Sequence, residues 1–346
     1  NSNQEFSITQ ERYYAASEER VVNDNRAWYI PLNYATASNP NFNTLRFTDY
    51  FFNLTPGARR TVSYPRQSLF NPNNDWFIFN KQQIGYYRVN YDTENWERLI
   101  QVLNSDNFEV IHVLNRAQLV DDALNLAADG YLSYQIALDL LAYLSRETDY
   151  IPWRAAANNL DKLDYILEGR PPHESFKFMI RKLARRLHTK YGFEETPNDM
   201  LDDKFARELA IDWSCRMGDQ KCLADTYAHL KKIVEGEEVE DSLQITYICN
   251  GLKGLNRTTE FAAMWNKMQK SEDQAERLRI IDGLLCSTDE SLLLNLLETT
   301  LTSSAEYFYR EHERTRILNN VVTRSPVGLK VAVNFINEYY DEIVQG

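Results

Sequence analysis

The sequence predicts a multidomain β + α chain: a small antiparallel β-sandwich over residues 1–92, then an irregular α-solenoid of helical hairpins over residues 93–346. Three observations predict it. Aromatic side chains crowd the front, where the first 92 residues hold nine Tyr, eight Phe and two Trp together with five of the ten prolines. Short runs there alternate apolar and polar residues between turn-forming stretches, which is the period of a strand. From residue 93 the apolar period lengthens to that of a helix and stays there through a long succession of segments separated by breakers.

The strands are expected in order at "FSITQ", "WYIPLNY", "TLRFTDYFF", "RTVSY" and "WFIFN", punctuated by "SNPNFN", "LTPGARR" and "NPNNDW". "WFIFNKQQIGYYRVNYD" reads as a hairpin whose turn takes a positive φ at Gly85. Its second arm, "GYYRVNYD", is then a last strand, with Tyr87, Val89 and Tyr91 on one face and Tyr86, Arg88 and Asn90 on the other. Helices follow from "TENWERLIQVLN" and "NRAQLVDDALNLAADG", the latter stopping at Gly130, through to "VGLKVAVNFINEYYDE". The tandem pattern has no strict repeat length, so the stack is irregular.

Composition excludes several functions. With 346 residues and 43% hydrophobic content the chain fills real cores. Fifty acidic against 38 basic residues, a formal charge of −12, argue against nucleic acid or an anionic membrane as main partner. No apolar run reaches the length of a membrane span, the opening is not a signal peptide, and "FINEYYDEIVQG" is not a lipid-anchor signal. The piece reads as soluble, any anchor lying outside it.

Catalytic motifs are missing. "HESFK" and "HERTR" begin like HExxH but lack the second histidine, and there is no P-loop, GxGxxG or GxSxG. His112, His173, His188, His229 and His312 read as helix-surface or core residues, so no catalytic residue and no metal ligand is assigned in this chain. Cys215 and Cys222 straddle the break between two predicted helices, and Cys249 and Cys286 lie near the ends of two others. Two disulfides and four buried thiols are both open readings of that set. Sequons at Asn53 ("NLT") and Asn256 ("NRT") in turn-rich stretches favour an oxidising compartment and mark glycosylation candidates.

"GYYRVNYD" followed by "NWERL" and "NRAQLVDDALNLA" resembles the C-terminal half of the zinc-dependent M1 aminopeptidases, in particular the membrane ectoenzymes of the aminopeptidase N group. "WYIPLNY" resembles the tryptophan-bearing strand of that family's β-sandwich, and "YIPWRAAANNLDKLDYIL" a segment of its helical domain. The cysteine spacings look like the two disulfides of the animal ectoenzymes. The resemblance implies a four-domain enzyme of which this chain carries the third domain and part of the fourth, an ERAP1-like C-terminal domain. Zinc, its ligands, the general base and the amine-gripping motif would belong to a catalytic domain of the same polypeptide outside this chain. It implies peptide substrates, a helical bowl that caps the catalytic cleft, and an anchored location on the extracellular face of the plasma membrane.

Arg88, Asn90, Asn115, Arg116 and Asp121 are the candidates for a polar seam that fixes the angle between sandwich and bowl. Arg316 and Arg324 are candidates for a peptide carboxylate, with Glu313 or solvent as the competing partner of Arg316. Insect gut members of the resembled group dock bacterial pore-forming toxins, a second role implied if the source is insect gut. The rival reading is a stand-alone helical solenoid that binds proteins and has no enzymatic role.

Overall fold

The computed structural model describes residues 5–19, 28–45, 51–52, 60–63, 75–301 and 309–345. The chain divides into two compact units, Asn1–Phe176 and Lys177–Gly346.

The first unit opens with strands β1 (Glu5–Ile8), β2 (Ile30–Pro31), β3 (Tyr34–Thr36), β4 (Phe51–Phe52), β5 (Arg60–Ser63) and β6 (Phe77–Phe79). They pair antiparallel as β1 with β5, β2 with β4 and β3 with β6, with Phe6 opposite Val62 and Ala35 opposite Ile78. Leu32, Phe77 and Phe79 form a small core. Tyr87, Val89 and Tyr91 pack against it, the face that alternation assigns to them.

The stretch from Gly85 to Asp92 nevertheless forms no ladder, and it corrects the hairpin expectation. The chain reverses through a short 3₁₀ turn, Lys81–Gln83, with left-handed backbone at Asn80, Gln82 and Gln83 rather than at Gly85. Asn80 is the reason, because its side-chain oxygen accepts from the Gly85 N–H at 2.8 Å and its amide donates to the Gly85 carbonyl at 2.9 Å. Those are backbone groups a ladder would have used. The Phe79 N–H likewise donates to the Tyr91 hydroxyl at 3.1 Å. Gly85 is needed for space instead: a Cβ there would sit 2.2 Å from the Tyr87 ring.

Helices α1 (Thr93–Leu103), α2 (Val113–Ala128), α3 (Tyr134–Leu141) and α4 (Tyr150–Leu167) complete this unit, and α5 (His173–Tyr191) carries the boundary. Side chains that favour caps start them: Asp92, Ser133 and Asp149 each accept a first-turn N–H. Helix α2 ends just before Gly130, left-handed at φ 79° as a terminating glycine should be.

The second unit holds α6 (Leu201–Arg216), α7 (Gln220–Glu235), α8 (Asp241–Gly251), α9 (Thr258–Lys270), α10 (Gln274–Leu284), α11 (Glu290–Leu301), α12 (Glu311–Arg324), α13 (Gly328–Glu338) and α14 (Tyr340–Gln345). One apolar cluster, from Ile211 to Phe335, runs through them. Helix α8 sits close to both α7 and α10 because glycines face side chains at the crossings. A Cβ on Gly251 would lie 2.8 Å from Leu230, and one on Gly283 would lie 2.4 Å from Ile248. The four cysteines form two disulfides, Cys215–Cys222 across the α6–α7 turn and Cys249–Cys286 from α8 to the end of α10.

Candidate functional site

Among the described residues, ionisable and amide side chains converge most densely on α2, a helix whose sequence is otherwise apolar. Asn115, Gln118 and Asp122 lie at positions i, i+3 and i+7 and are all buried, so one stripe of α2 is polar inside the unit.

Asn115 and Asp122 meet the segment that precedes α1, and Gln118 lies between them, accepting from Asn115 and donating to Asp122. The Asn115 side-chain oxygen accepts from the Gln82 N–H at 2.7 Å, while its amide donates to the Asn80 carbonyl at 3.1 Å and to Gln118 at 2.7 Å. Arg88 lies between two carboxylates, 2.5 Å from Asp121 and 3.0 Å from Asp122. Asp122 also accepts from the Val89 N–H at 3.1 Å. Asn90 donates to the Tyr131 carbonyl at 3.2 Å and accepts from the Trp96 indole at 3.0 Å. From α4, Asn159 donates to Asp121 at 3.1 Å.

One arginine for two carboxylates leaves the cluster acid-rich. Burial pushes the Asp122 carboxyl up to about 7, against the pull of the Val89 N–H and Arg88. Burial also works against charge on Arg88, but Asp121 and then Asp122 more than offset it and raise its pKa. Tyr87 and Tyr91 are held well above the usual phenol range by burial, with Asp122 adding to both.

The structure therefore brings Arg88, Asn90, Asn115 and Asp121 to the stretch before α1 and places Arg116 elsewhere. Arg116 donates to Glu147 at 2.7 Å and to the Ile111 carbonyl at 2.8 Å, tying α2 to the loop before α4. Sequence reasoning did not name Asp122 or Gln118. The available signal was the i, i+3, i+7 spacing of polar residues within "NRAQLVDDALNLA".

In the second unit Arg316 and Arg324 both reach Asp282, which is buried: Arg316 by two bonds of 2.8 and 2.5 Å, Arg324 at 3.3 Å. The expectation for Arg316 is Glu313 or solvent, and the structure gives it Asp282 instead. Glu313 faces inward one turn earlier and grips Arg277 through two bonds of 2.7 and 2.8 Å. Of the two sequons, Asn256 is exposed with φ 58°, and Asn53 lies outside the described residues.

A catalytic zinc does not fit the donors at hand. All four cysteines are consumed in disulfides, and among the described residues no three His, Cys, Asp or Glu side chains converge. His112 caps α2 at the Leu114 N–H, His173 meets Asp164 at 2.7 Å, and His229 meets the Asp225 carbonyl at 2.9 Å.

The family model of the ERAP1-like C-terminal domain matches residues 76–346. The chain belongs to this family. Over its whole length it is 33% identical to "Aminopeptidase N" of Plutella xylostella, covering 36% of that protein. It is 27% identical to "Membrane alanyl aminopeptidase" of Heliothis virescens over 96% of the chain and 32% of the relative. To the "Thyrotropin-releasing hormone-degrading ectoenzyme" of Rattus norvegicus it is 30% identical over 76% of the chain and 25% of the relative. The chain thus spans about a third or less of the length of these relatives, and what it matches is the C-terminal part of M1 aminopeptidases.

Proposed function

We propose that this chain is the non-catalytic C-terminal part of a membrane zinc aminopeptidase that removes N-terminal residues from peptides. One observation carries the reading: similarity to an aminopeptidase covers all of this chain and 36% of that relative. The catalytic domain, with its zinc, is then a partner in the same polypeptide. The helices cap its cleft and limit which peptides enter, while the Arg88–Asp121–Asp122 cluster fixes the strand-bearing residues 1–92 against the helices that begin at 93. Two disulfides and relatives named as membrane proteins or ectoenzymes support an extracellular location, with anchorage through a segment outside this chain. The relatives named above favour this reading over a solenoid unrelated to peptidases.

The test is hydrolysis of alanyl peptides by the full-length polypeptide. We expect activity that is lost on chelation and restored by zinc, and a dependence on peptide length that changes in Arg88→Ala. Failure of the full-length protein to release N-terminal alanine removes the enzyme reading. An unchanged length dependence removes the capping role of the cluster. Docking of a bacterial pore-forming toxin rests on the lepidopteran relatives alone. Its check is saturable binding of such a toxin to this chain, and no signal at micromolar concentration removes it.

A further inference from the structure

The sequon Asn256-Arg257-Thr258 occupies the turn between α8 and α9, and the structure separates its three side chains by role. Arg257 folds back against the unit: its Nε donates to the Gly251 carbonyl at 3.2 Å, and its guanidinium lies 3.4 Å from the centre of the Tyr227 ring. Asn256, in the left-handed conformation that Asn tolerates, and Thr258, the first residue of α9, are both exposed. Neither the Asn256 amide nor the Thr258 hydroxyl has a hydrogen-bond partner among the described residues. Helix α9 also starts without a side-chain cap, so Thr258 is not needed for that purpose. Beside them Leu255 is 88% exposed, an apolar side chain left in water at the tip of the turn.

We infer that Asn256 carries an N-linked glycan that stands off the α8–α9 turn and keeps this edge of residues 177–346 facing solvent. The inference rests on the extracellular reading above, through the oxidising compartment it requires. The transfer uses a lipid-linked oligosaccharide diphosphate. The bond from the anomeric carbon to the phosphate oxygen breaks and one from that carbon to Asn256 Nδ2 forms, while an Nδ2 proton passes to a base and the lipid diphosphate leaves. The middle residue of the sequon supplies the anchor: with Arg257 clamped on Tyr227, the turn keeps its shape and the glycan displaces no packed side chain. A partner surface, whether for the rest of the polypeptide or for a toxin, then has to avoid Leu255 and its neighbours.

The experiment translates the full chain behind a cleavable leader into microsomes, on an Asn53→Gln background that silences the other sequon, and reads intact mass with and without endoglycosidase. One glycan is expected, absent in Asn256→Gln and in Thr258→Ala but retained in Thr258→Ser. Because the reading is made on all translocated chain, a variant that folds badly still reports. Translocated chain with both disulfides formed and no mass change on endoglycosidase treatment overturns the glycan while leaving the aminopeptidase reading standing. Release of alanine by the full-length protein tests that reading separately.

Discussion

Residues 1–176 and 177–346 each bury a one-to-one pair, Arg116 with Glu147 and Arg277 with Glu313, and they differ at a second carboxylate site. In the first unit a single arginine, Arg88, serves two carboxylates, Asp121 and Asp122. In the second, two arginines, Arg316 and Arg324, serve the one carboxylate of Asp282. All four cysteines also lie in the second unit. The second unit therefore matches or exceeds its buried carboxylates with arginines and adds two cross-links, whereas the first keeps a carboxyl that burial pushes up to about 7.

The largest expected effect comes from breaking the one-to-one pair. Arg277 and Glu313 are almost wholly buried, so Glu313→Ala strands a buried guanidinium and should cost about 3–5 kcal/mol in chemical denaturation. Replacing both, Arg277→Leu with Glu313→Met, should recover most of that loss, because the penalty is the unpaired charge rather than the missing pair. If the double variant is as unstable as the single one, the loss comes from the missing pair itself and not from the stranded charge.

The disulfides are the next lever in the second unit. Cys249 and Cys286 close a loop 37 residues apart and Cys215 and Cys222 one of seven. Chain entropy then gives losses of about 4 and about 2 kcal/mol on replacing each pair by serine. Equal losses would mean that local packing, not loop closure, sets their worth. Reduction should leave hydrogen exchange in α1–α4 unchanged, since the first unit has no cysteine.

In the first unit the comparable lever is an amide. Asn115 is fully buried and joins the Gln82 N–H, the Asn80 carbonyl and Gln118. Asn115→Ala leaves those groups unsatisfied and should cost about 2 kcal/mol. Asn115→Asp keeps the acceptor for Gln82 but loses both donated bonds and adds a third acid near Asp122, so it should be no better. A neutral Asn115→Ala would show that water replaces the side chain at this point.

How much of this the sequence disclosed depends on the range of the interaction. The placement of Tyr87, Val89 and Tyr91 on the core was legible because alternation is a local property of extended chain. The missing ladder was not, because it turns on the Asn80 side chain capturing Gly85 five residues away. Arg88, Asn90, Asn115 and Asp121 were legible as polar residues around a break in pattern. Asp122 was hidden because "DD" does not say which carboxylate turns inward until α2 is seated on the segment before α1. For Arg316 sequence proximity offered Glu313 or solvent, and α10 supplies another partner, Asp282, 34 residues away. Zinc and the capped cleft came from family resemblance alone, since residues outside this chain would supply them.

The last prediction tests the contrast by proton count. Asp122 has an ordinary carboxyl pKa of about 4 in the unfolded chain and is pushed up to about 7 when folded. Between those values the folded state keeps a proton that the unfolded state has released. Stability therefore falls as pH rises from about 4 to about 7, by at most about 1.4 kcal/mol per pH unit, and is flat above the upper value. The sign is opposite to that of a carboxylate whose pKa folding depresses, because here burial outweighs Arg88. Asp122→Asn removes the titration, so the difference in unfolding free energy between the parent chain and this variant should slope downward across that window. Denaturation of the two chains at several pH values gives the difference directly. A flat difference would mean that Arg88 holds Asp122 ionised throughout, and that burial does not outweigh the ion pair at this carboxyl.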